Sequence, residues 1–147
     1  MISDTEALRD ARDAWEFVRK SRNVIVGNCN VATIASSFNQ RGIRDMCFNL
    51  LLASAFSVLE HVLQELRDQG DFACKGNQHG GLMVNSKASI PWVDYTLIDK
   101  ARSDRNESIH QQRYIPHAQC RDYIAAVEIE LVAWKVLTET TPDLWHW

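Results

Sequence analysis

Apolar residues recur at spacings of three and four along most of the chain, which is the period of an α-helix packed on one face. Ser3 and Glu6 precede the first run with the spacing of a helix capping box. Acidic residues near the start of this run and basic residues near its end match the helix dipole. The pattern predicts a first helix from about Asp4 to Arg22. Its apolar stripe consists of Leu8, Ala11, Trp15 and Val18.

The next segment, residues 23–40, has no clear period, because β-branched residues alternate with turn-forming ones. Two interpretations stay open. Residues 23–30 form either a loop that packs Val24 to Val26 against the core or a frayed continuation of the first helix. A short helix from Val31 to Phe38 is compatible with both.

The strongest pattern runs from about Arg41 to Gln69, where two apolar stripes lie about 100° apart around one helix. A face of that width is buried from two sides, as is typical of the central helix of a bundle. Gly70 provides the usual stop after it. The stripes are Cys47, Leu51, Ala55, Val58, Val62 and Leu66, and Phe48, Leu52, Phe56, Leu59 and Leu63.

Residues 70–89 contain four glycines and several turn-forming residues, which predicts a long loop of functional or mobile character. The glycines do not form a phosphate-binding motif, because no Gly-x-x-x-x-Gly-Lys-Ser/Thr is present. His79 lies among them, and a single histidine in such a setting is expected to be solvated.

Two further helices are predicted in the second half of the chain. Pro91 starts the first of them, which runs into residues 105–110. Residues 111–115 are polar and predict a turn. The last helix begins at Pro116 and is expected to extend to Thr141. It is apolar nearly all round, so it requires either a deep core or a second subunit.

A short apolar tail follows the last helix. Its tryptophans, Trp145 and Trp147, are expected either to cover a partner subunit or to fray. No segment alternates with period two, and no internal repeat is visible. The sequence therefore predicts one all-α domain over residues 1–147, a bundle of four main helices with a short fifth.

Composition limits the classes of function. The chain is 46% hydrophobic and 24% charged, as a globular domain is, and its net charge of −3 argues against broad charge-driven binding to duplex nucleic acid. A local contact to a short single strand is compatible with it. Uninterrupted apolar runs stay below the roughly 18 residues of a membrane span, and the polar N-terminus is no signal peptide. Four scattered cysteines predict reduced thiols in a cytoplasmic protein.

Candidate chemistry is concentrated in six residues. Arg105, Asn106 and His110 bring together a guanidinium, a carboxamide and an imidazole. An imidazole titrates near neutral pH and can transfer protons, and a guanidinium binds phosphate oxygens with two hydrogen bonds. The carboxamide can orient a hydroxyl group or a phosphate oxygen. In RNA the adjacent 2′-hydroxyl is an internal nucleophile, so these groups suit cleavage without a metal or another cofactor.

The motif Arg105-Asn106-x-x-x-His110, at the end of a long helix before a turn and a final long helix, resembles the Arg-x(4–6)-His signature of the HEPN superfamily. This resemblance implies a helical toxin or defence protein that forms a symmetric homodimer. The motifs of both subunits would then form one metal-independent endoribonuclease site. His110 would act as general base or acid, Arg105 would bind the scissile phosphate, and Asn106 would assist in positioning.

One group of HEPN toxins has a tyrosine two residues after the histidine, which its antitoxin modifies. Gln112 occupies that position here, and the nearest tyrosine is Tyr114. The resemblance therefore implies an antitoxin as a further partner without indicating one of the tyrosine-modifying kind. Arg113 and Tyr114 follow the motif directly and are candidates to contact an RNA phosphate and base.

Other residues are weaker candidates. Glu60 and His61 could support Arg105 from the central helix or form an ordinary solvated face. His117 and Cys120 have the spacing of a chelate, to which His110 could add a third ligand, but no fourth ligand is apparent, so no metal is expected.

Two functions of different classes follow from these patterns. The first is a cytoplasmic endoribonuclease that leaves a 2′,3′-cyclic phosphate and a 5′-hydroxyl. The alternative is a non-catalytic HEPN-like helical module that dimerises and binds nucleotide or protein partners. The positions of Arg105 and His110 relative to a solvent-open cleft discriminate between them. A small-molecule-binding bundle ranks third, because no cofactor ligands are evident in the sequence.

Overall fold

A computed structural model describes residues 1–36 and 40–145, with side chains described for residues 1–28 and 42–145. The described residues form an all-α structure without strands, as expected. Four long helices and one short helix are present, followed by a 3-10 turn. Their bounds are α1 Thr5–Ser36, α2 Gln40–Asp68, α3 His79–Ser86, α4 Tyr95–Gln111, α5 His117–Ala133, and the 3-10 turn Pro142–Trp145.

Helix α2 is the centre of the bundle and packs against α1, α3 and α5. Every residue of its two predicted stripes is buried, which confirms the interpretation of this segment as a central helix. The turn at Gly70 is also confirmed, because this residue has a φ of 96° that glycine adopts without strain.

Helix α2 is also long and apolar enough to cross a membrane, by length and composition alone. The uninterrupted apolar runs in the sequence do not show that α2 is long and apolar enough for this. In the most apolar window 56% of the residues are buried inside the bundle. Such a helix is weak evidence for a membrane span, because the core helix of a soluble protein has the same properties.

Helix α1 is longer than the sequence pattern predicts and continues to Ser36. The helical alternative for residues 23–30 is therefore correct. The residues from Val31 to Ser36 belong to α1 and do not form a separate helix. Residues 37–39 lie outside the described part of the chain. Val26 is buried and extends the stripe of Trp15 and Val18, so packing outweighs the local propensities. The predicted capping box is wrong, because Asp4 accepts the capping bond from Ala7 N at 2.8 Å.

Three other boundaries differ from the prediction. The expected loop at residues 70–89 contains α3, which buries Leu82 and Met83. Helix α4 begins at Tyr95 rather than Pro91, because Asp94 caps it by accepting a bond from Leu97 N at 3.0 Å. Helix α5 ends at Ala133 and not near Thr141, since the chain turns there through the positive φ of Lys135.

The C-terminal segment, as far as Trp145, packs against the core of its own chain. Trp145 is fully buried and packs edge-on against Trp15, with ring centroids 5.9 Å apart. Trp147 lies outside the described part of the chain. Cys74 and Cys120 are free thiols. Cys29 falls among the side chains that are not described.

Candidate functional site

The six-residue motif lies in the C-terminal half of α4. Ile98 and Ala101 bury the first half of this helix against the bundle, and the polar second half extends toward solvent. The helix ends where Gln112 adopts a left-handed conformation with a φ of 52° and its N–H bonds Ser108 O. His110 is therefore in the last turn, where a cationic imidazole interacts favourably with the helix dipole.

A cavity of about 300 Å³ lies between the end of α4, the following loop and α2. Three of the five site residues predicted from sequence line it, namely Arg105, Arg113 and Tyr114. Its remaining lining residues are Asn49, Ala53, Ser108, Ile109 and Gln112.

Asn106 and His110 do not line this cavity, and both side chains are exposed. They are four residues apart on one continuous helix, so they share a face. Arg105 and His110 are five residues apart, which places them about 140° from one another around the helix axis. Helix α4 continues to Gln111, past both residues, so it does not end between them.

Arg105 is an arginine without an acidic partner among the described residues. Its Nε atom is buried and has no hydrogen-bond partner. Its guanidinium carbon lies 5.8 Å from the centre of the Phe56 ring, a cation–π contact. Arg19 and Arg102, by contrast, bond Glu128 and Asp99. Because buried polar groups nearly always have partners, this guanidinium is the group in the cavity that an anionic ligand would complete.

His79 lies at the start of α3 near Arg105, and the expectation that it is solvated is wrong. Only 9% of its side chain is exposed, and neither ring nitrogen has a hydrogen-bond partner. Its ring centroid lies 5.2 Å from that of Phe56. Burial, together with the charges of Arg105 and Arg102, lowers the pKa of His79 to about 4. The imidazole is therefore neutral near pH 7.

Glu60 lies beside His79, with its Oε2 atom 3.5 Å from the Nδ1 atom of the imidazole. Glu60 and His61, which are adjacent in the sequence, therefore do not act as a pair. His61 is exposed, and its Nε2 atom lies 3.9 Å from Glu65 Oε1. Adjacency in sequence pointed to the wrong histidine. The pattern His79-Gly80-Gly81 before an apolar pair was the available signal for a buried helix start.

The loop that carries Arg113 and Tyr114 is fixed from both sides. Ser108 Oγ donates a hydrogen bond to Arg113 O, and Arg113 N donates to Ser108 O at 3.1 Å. Asn49 on α2 bonds the backbone of Ile115 at the other end of the loop. The two cavity-lining side chains of the loop therefore have a defined position relative to Arg105.

Two apolar side chains in the cavity lining are exposed to solvent. Ile109 is 63% exposed and Tyr114 is 60% exposed, and both line the cavity. Leu50, which follows the lining residue Asn49 on α2, is 54% exposed. Clusters of this kind are typical of surfaces that another molecule covers.

A second cleft lies between the end of α4, the loop and the start of α5, and Lys100 and Asp104 in its lining belong to a hydrogen-bond network between the two helices. Tyr123 donates to Asp104, and Lys100 Nζ bonds both Asp104, at 2.5 Å, and the Tyr123 hydroxyl, at 2.9 Å. Burial, with the Asp104 bond, raises the pKa of Tyr123. These groups satisfy one another and fix α4 on α5.

His117 and Cys120, which have the spacing of a metal chelate, interact with other groups in the structure. His117 Nδ1 lies 2.8 Å from Asp45 Oδ1, which also accepts a bond from His117 N. Burial, and then the charge of Asp45, raises the pKa of Cys120 to about 12, which disfavours the thiolate that metals bind. Residues 1–28 and 42–145 contain no cluster of three or more histidine, cysteine or acidic side chains suited to a metal ion.

Comparison of the chain with protein-family models, with curated proteins and with solved structures finds no match. The site residues therefore have to be interpreted from their own geometry and chemistry.

Proposed function

We propose that this protein is a metal-independent endoribonuclease of the toxin or defence type, with a site shared between two copies of the chain. The observation that carries the proposal is the unpaired guanidinium of Arg105, which lines a cavity together with Arg113 and Tyr114. An arginine pair binds phosphate oxygens, and an exposed tyrosine provides a surface for a base. The resemblance to HEPN proteins rests on the same motif.

In the proposed reaction the 2′-oxygen of a ribose attacks the adjacent phosphorus, and the bond from phosphorus to the 5′-oxygen breaks. His110 accepts the proton of the 2′-hydroxyl or donates one to the leaving 5′-oxygen. Arg105 stabilises the charge that develops on the phosphate oxygens, and Asn106 orients the nucleophile or the phosphate. The products are a 2′,3′-cyclic phosphate and a 5′-hydroxyl, and no metal takes part.

Two copies are needed because His110 and Arg105 of one chain point about 140° apart around α4. In a two-fold dimer that covers the exposed Ile109 and Tyr114, His110 of the partner subunit would face the Arg105 cavity. The apolar rim of the cavity supplies surface for such a contact. The net charge of −3 makes a local contact to single-stranded RNA the fitting mode of binding, in a cytoplasmic protein that an antitoxin protein would restrain.

The alternative function is a non-catalytic helical module that dimerises and binds nucleotide or protein partners. One observation favours it specifically: His110 lies outside the cavity that Arg105 lines. In this case the cavity binds an anionic group and no bond is cleaved.

The deciding experiment is RNA cleavage in EDTA by the wild type and by Arg105→Ala, Asn106→Ala and His110→Ala, with analysis of the RNA ends. We expect cyclic-phosphate ends, which are lost in Arg105→Ala and His110→Ala and reduced in Asn106→Ala. Matched controls are Arg9→Ala and His61→Ala, because both side chains are exposed and lie outside the cavity lining.

Circular dichroism has to show that each variant is folded. Equal cleavage by all proteins would refute the assigned site. RNA binding that depends on Arg105 without cleavage by the wild type would favour the non-catalytic module.

A further inference from the structure

Two side chains with unsatisfied nitrogens contact the same aromatic ring. His79 from α3 and Arg105 from α4 both contact Phe56. The centroid of the His79 ring lies 5.2 Å from the centre of the Phe56 ring, and the guanidinium carbon of Arg105 lies 5.8 Å from it. Both His79 ring nitrogens and Arg105 Nε are buried without a hydrogen-bond partner in the part of the chain with described side chains. Because each such group costs free energy, this arrangement calls for an explanation other than stability.

A carboxylate lies at the edge of the same cluster. Glu60 follows Phe56 by one helical turn on α2, so both side chains lie on one face of this helix. Its Oε1 atom accepts a bond from Gln64 at 3.4 Å, and its Oε2 atom lies 3.5 Å from His79 Nδ1. Glu60 nevertheless forms no ion pair with Arg105, although a carboxylate is the strongest partner for a half-buried guanidinium.

His79 acts here through its volume more than through hydrogen bonds. The imidazole is neutral, because burial and the charges of Arg105 and Arg102 lower its pKa to about 4. A neutral ring whose nitrogens bond nothing does not hold Glu60 by an ion pair. Its ring packs against Phe56 on one side, and Glu60 lies beside it on the same helix as Phe56.

The start of α3 is built to bring this ring close to α4. A Cβ atom on Gly80 would lie only 3.2 Å from Arg102 Nη1, so a side chain there would displace Arg102 or push α3 away. Asp99 holds Arg102 in place with bonds of 3.0 and 2.9 Å. Close packing at Gly80 therefore inserts the adjacent His79 between α2 and α4.

We propose that His79 is a positioning residue that separates Glu60 from Arg105 and so keeps the guanidinium free to bind a phosphate. This inference rests on the proposed function for its consequence in catalysis. The separation itself is a property of the free protein and can be measured without RNA.

The activity test uses a substitution of Glu60 to distinguish a positioning role of His79 from a simple loss of structure. His79→Ala opens space for Glu60 to pair with Arg105, and we expect kcat to fall about 100-fold. The double variant His79→Ala with Glu60→Gln removes the competing charge and is expected to restore most of kcat. His79→Phe keeps the ring and loses only nitrogens that bond nothing, so it is expected to remain near wild-type activity.

A second readout is independent of catalysis. The Nε–H resonance of Arg105 is followed by nuclear magnetic resonance and assigned by its loss in Arg105→Lys. We expect it to shift in His79→Ala and to return in the double variant with Glu60→Gln. His79→Val serves the same purpose if His79→Ala does not fold.

The two failures are distinguishable. An Arg105 resonance that is unchanged in the smaller His79 variants overturns the inference, even if the wild type cleaves RNA. The same holds for lost activity that Glu60→Gln does not restore. A resonance that shifts and returns as expected, in a protein that cleaves no RNA, supports the inference and refutes the proposed function.

Discussion

The carboxamide of Asn49 bonds both backbone groups of Ile115, accepting from its N–H at 3.2 Å and donating to its carbonyl oxygen at 2.7 Å. Its Nδ2 atom also donates to Asp45 O at 2.7 Å. One side chain of the central helix thus replaces the backbone pairing that a loop lacks. The loop held in this way carries Arg113 and Tyr114, so Asn49 connects the core to the lining of the Arg105 cavity.

We expect Asn49→Ala to lower the free energy of unfolding by about 1–3 kcal/mol, because it leaves half-buried backbone groups unpaired. It should also increase hydrogen exchange in residues 112–116, measured by mass spectrometry. Ser54→Ala is the control, since its exposed hydroxyl bonds only Leu50 O of the same helix. Equal exchange in both variants would contradict the role assigned to Asn49.

Glu128 joins α5 to the first and last segments of the chain. This carboxylate is only 1% exposed, and donors from four residues bond it. These residues are Trp15, Arg19, Thr141 and Trp145. We expect Glu128→Ala to lower the free energy of unfolding by about 3–5 kcal/mol, because it leaves Arg19 without its buried partner.

Urea denaturation measures this loss, and Glu139→Ala is the matched control, because its side chain is exposed in the same C-terminal segment. A loss no larger than that of Glu139→Ala would show that the C-terminal segment is held by apolar packing alone.

Stability should also depend on pH through Glu128. Burial alone would raise its pKa, but bonds from Thr141, Arg19 and Trp145 outweigh burial and leave the pKa below its ordinary value of 4.5. The unfolded chain therefore binds the proton more tightly than the native one. The contribution of Glu128 is fully present above about pH 4.5 and is lost as the pH falls through the lower native pKa.

We accordingly expect the stability difference between wild type and Glu128→Ala to be constant near neutral pH and to shrink in acid. Urea denaturation at a series of pH values measures it. A difference that grows on acidification would contradict the direction of this pKa shift.

Lys135 occupies a left-handed conformation, with a φ of 60°, directly after α5. A side chain in this region costs free energy that glycine avoids. Lys135→Gly is therefore expected to raise the free energy of unfolding by about 0.5–1 kcal/mol. Asp13→Gly, on the exposed face of α1, should lower it by a similar amount. Thermal unfolding compares the two, and destabilisation by both variants would show that Lys135 is not strained.

The sequence predicted those elements whose burial is periodic within one segment. Both stripes of α2 were assigned residue by residue, because a helix packed from two sides repeats its apolar positions without interruption. The extension of α1 was not decided, since Gly27 and Asn28 weaken the local preference and the packing of Val26 overrides it. The early end of α5 was missed because a lysine, not a glycine, occupies the left-handed position.

The same distinction between local and distant contacts applies to the residues of the candidate site. Arg105, Arg113 and Tyr114 are close in sequence and line one cavity, so a short motif found them. His79 was missed because it is buried against Phe56, which lies more than twenty residues away in the sequence. Whether the motif acts in RNA cleavage stays a prediction.

The most direct test of a shared ribonuclease site is to mix two inactive variants. Arg105→Ala and His110→Ala are combined in equal amounts under conditions that allow subunit exchange, which makes about half of the dimers hybrid. A hybrid site has one intact Arg105 and one intact His110, contributed by different subunits. We predict that the mixture cleaves RNA in EDTA while each variant alone does not. A mixture as inactive as its components, beside an active wild type, would contradict the shared site.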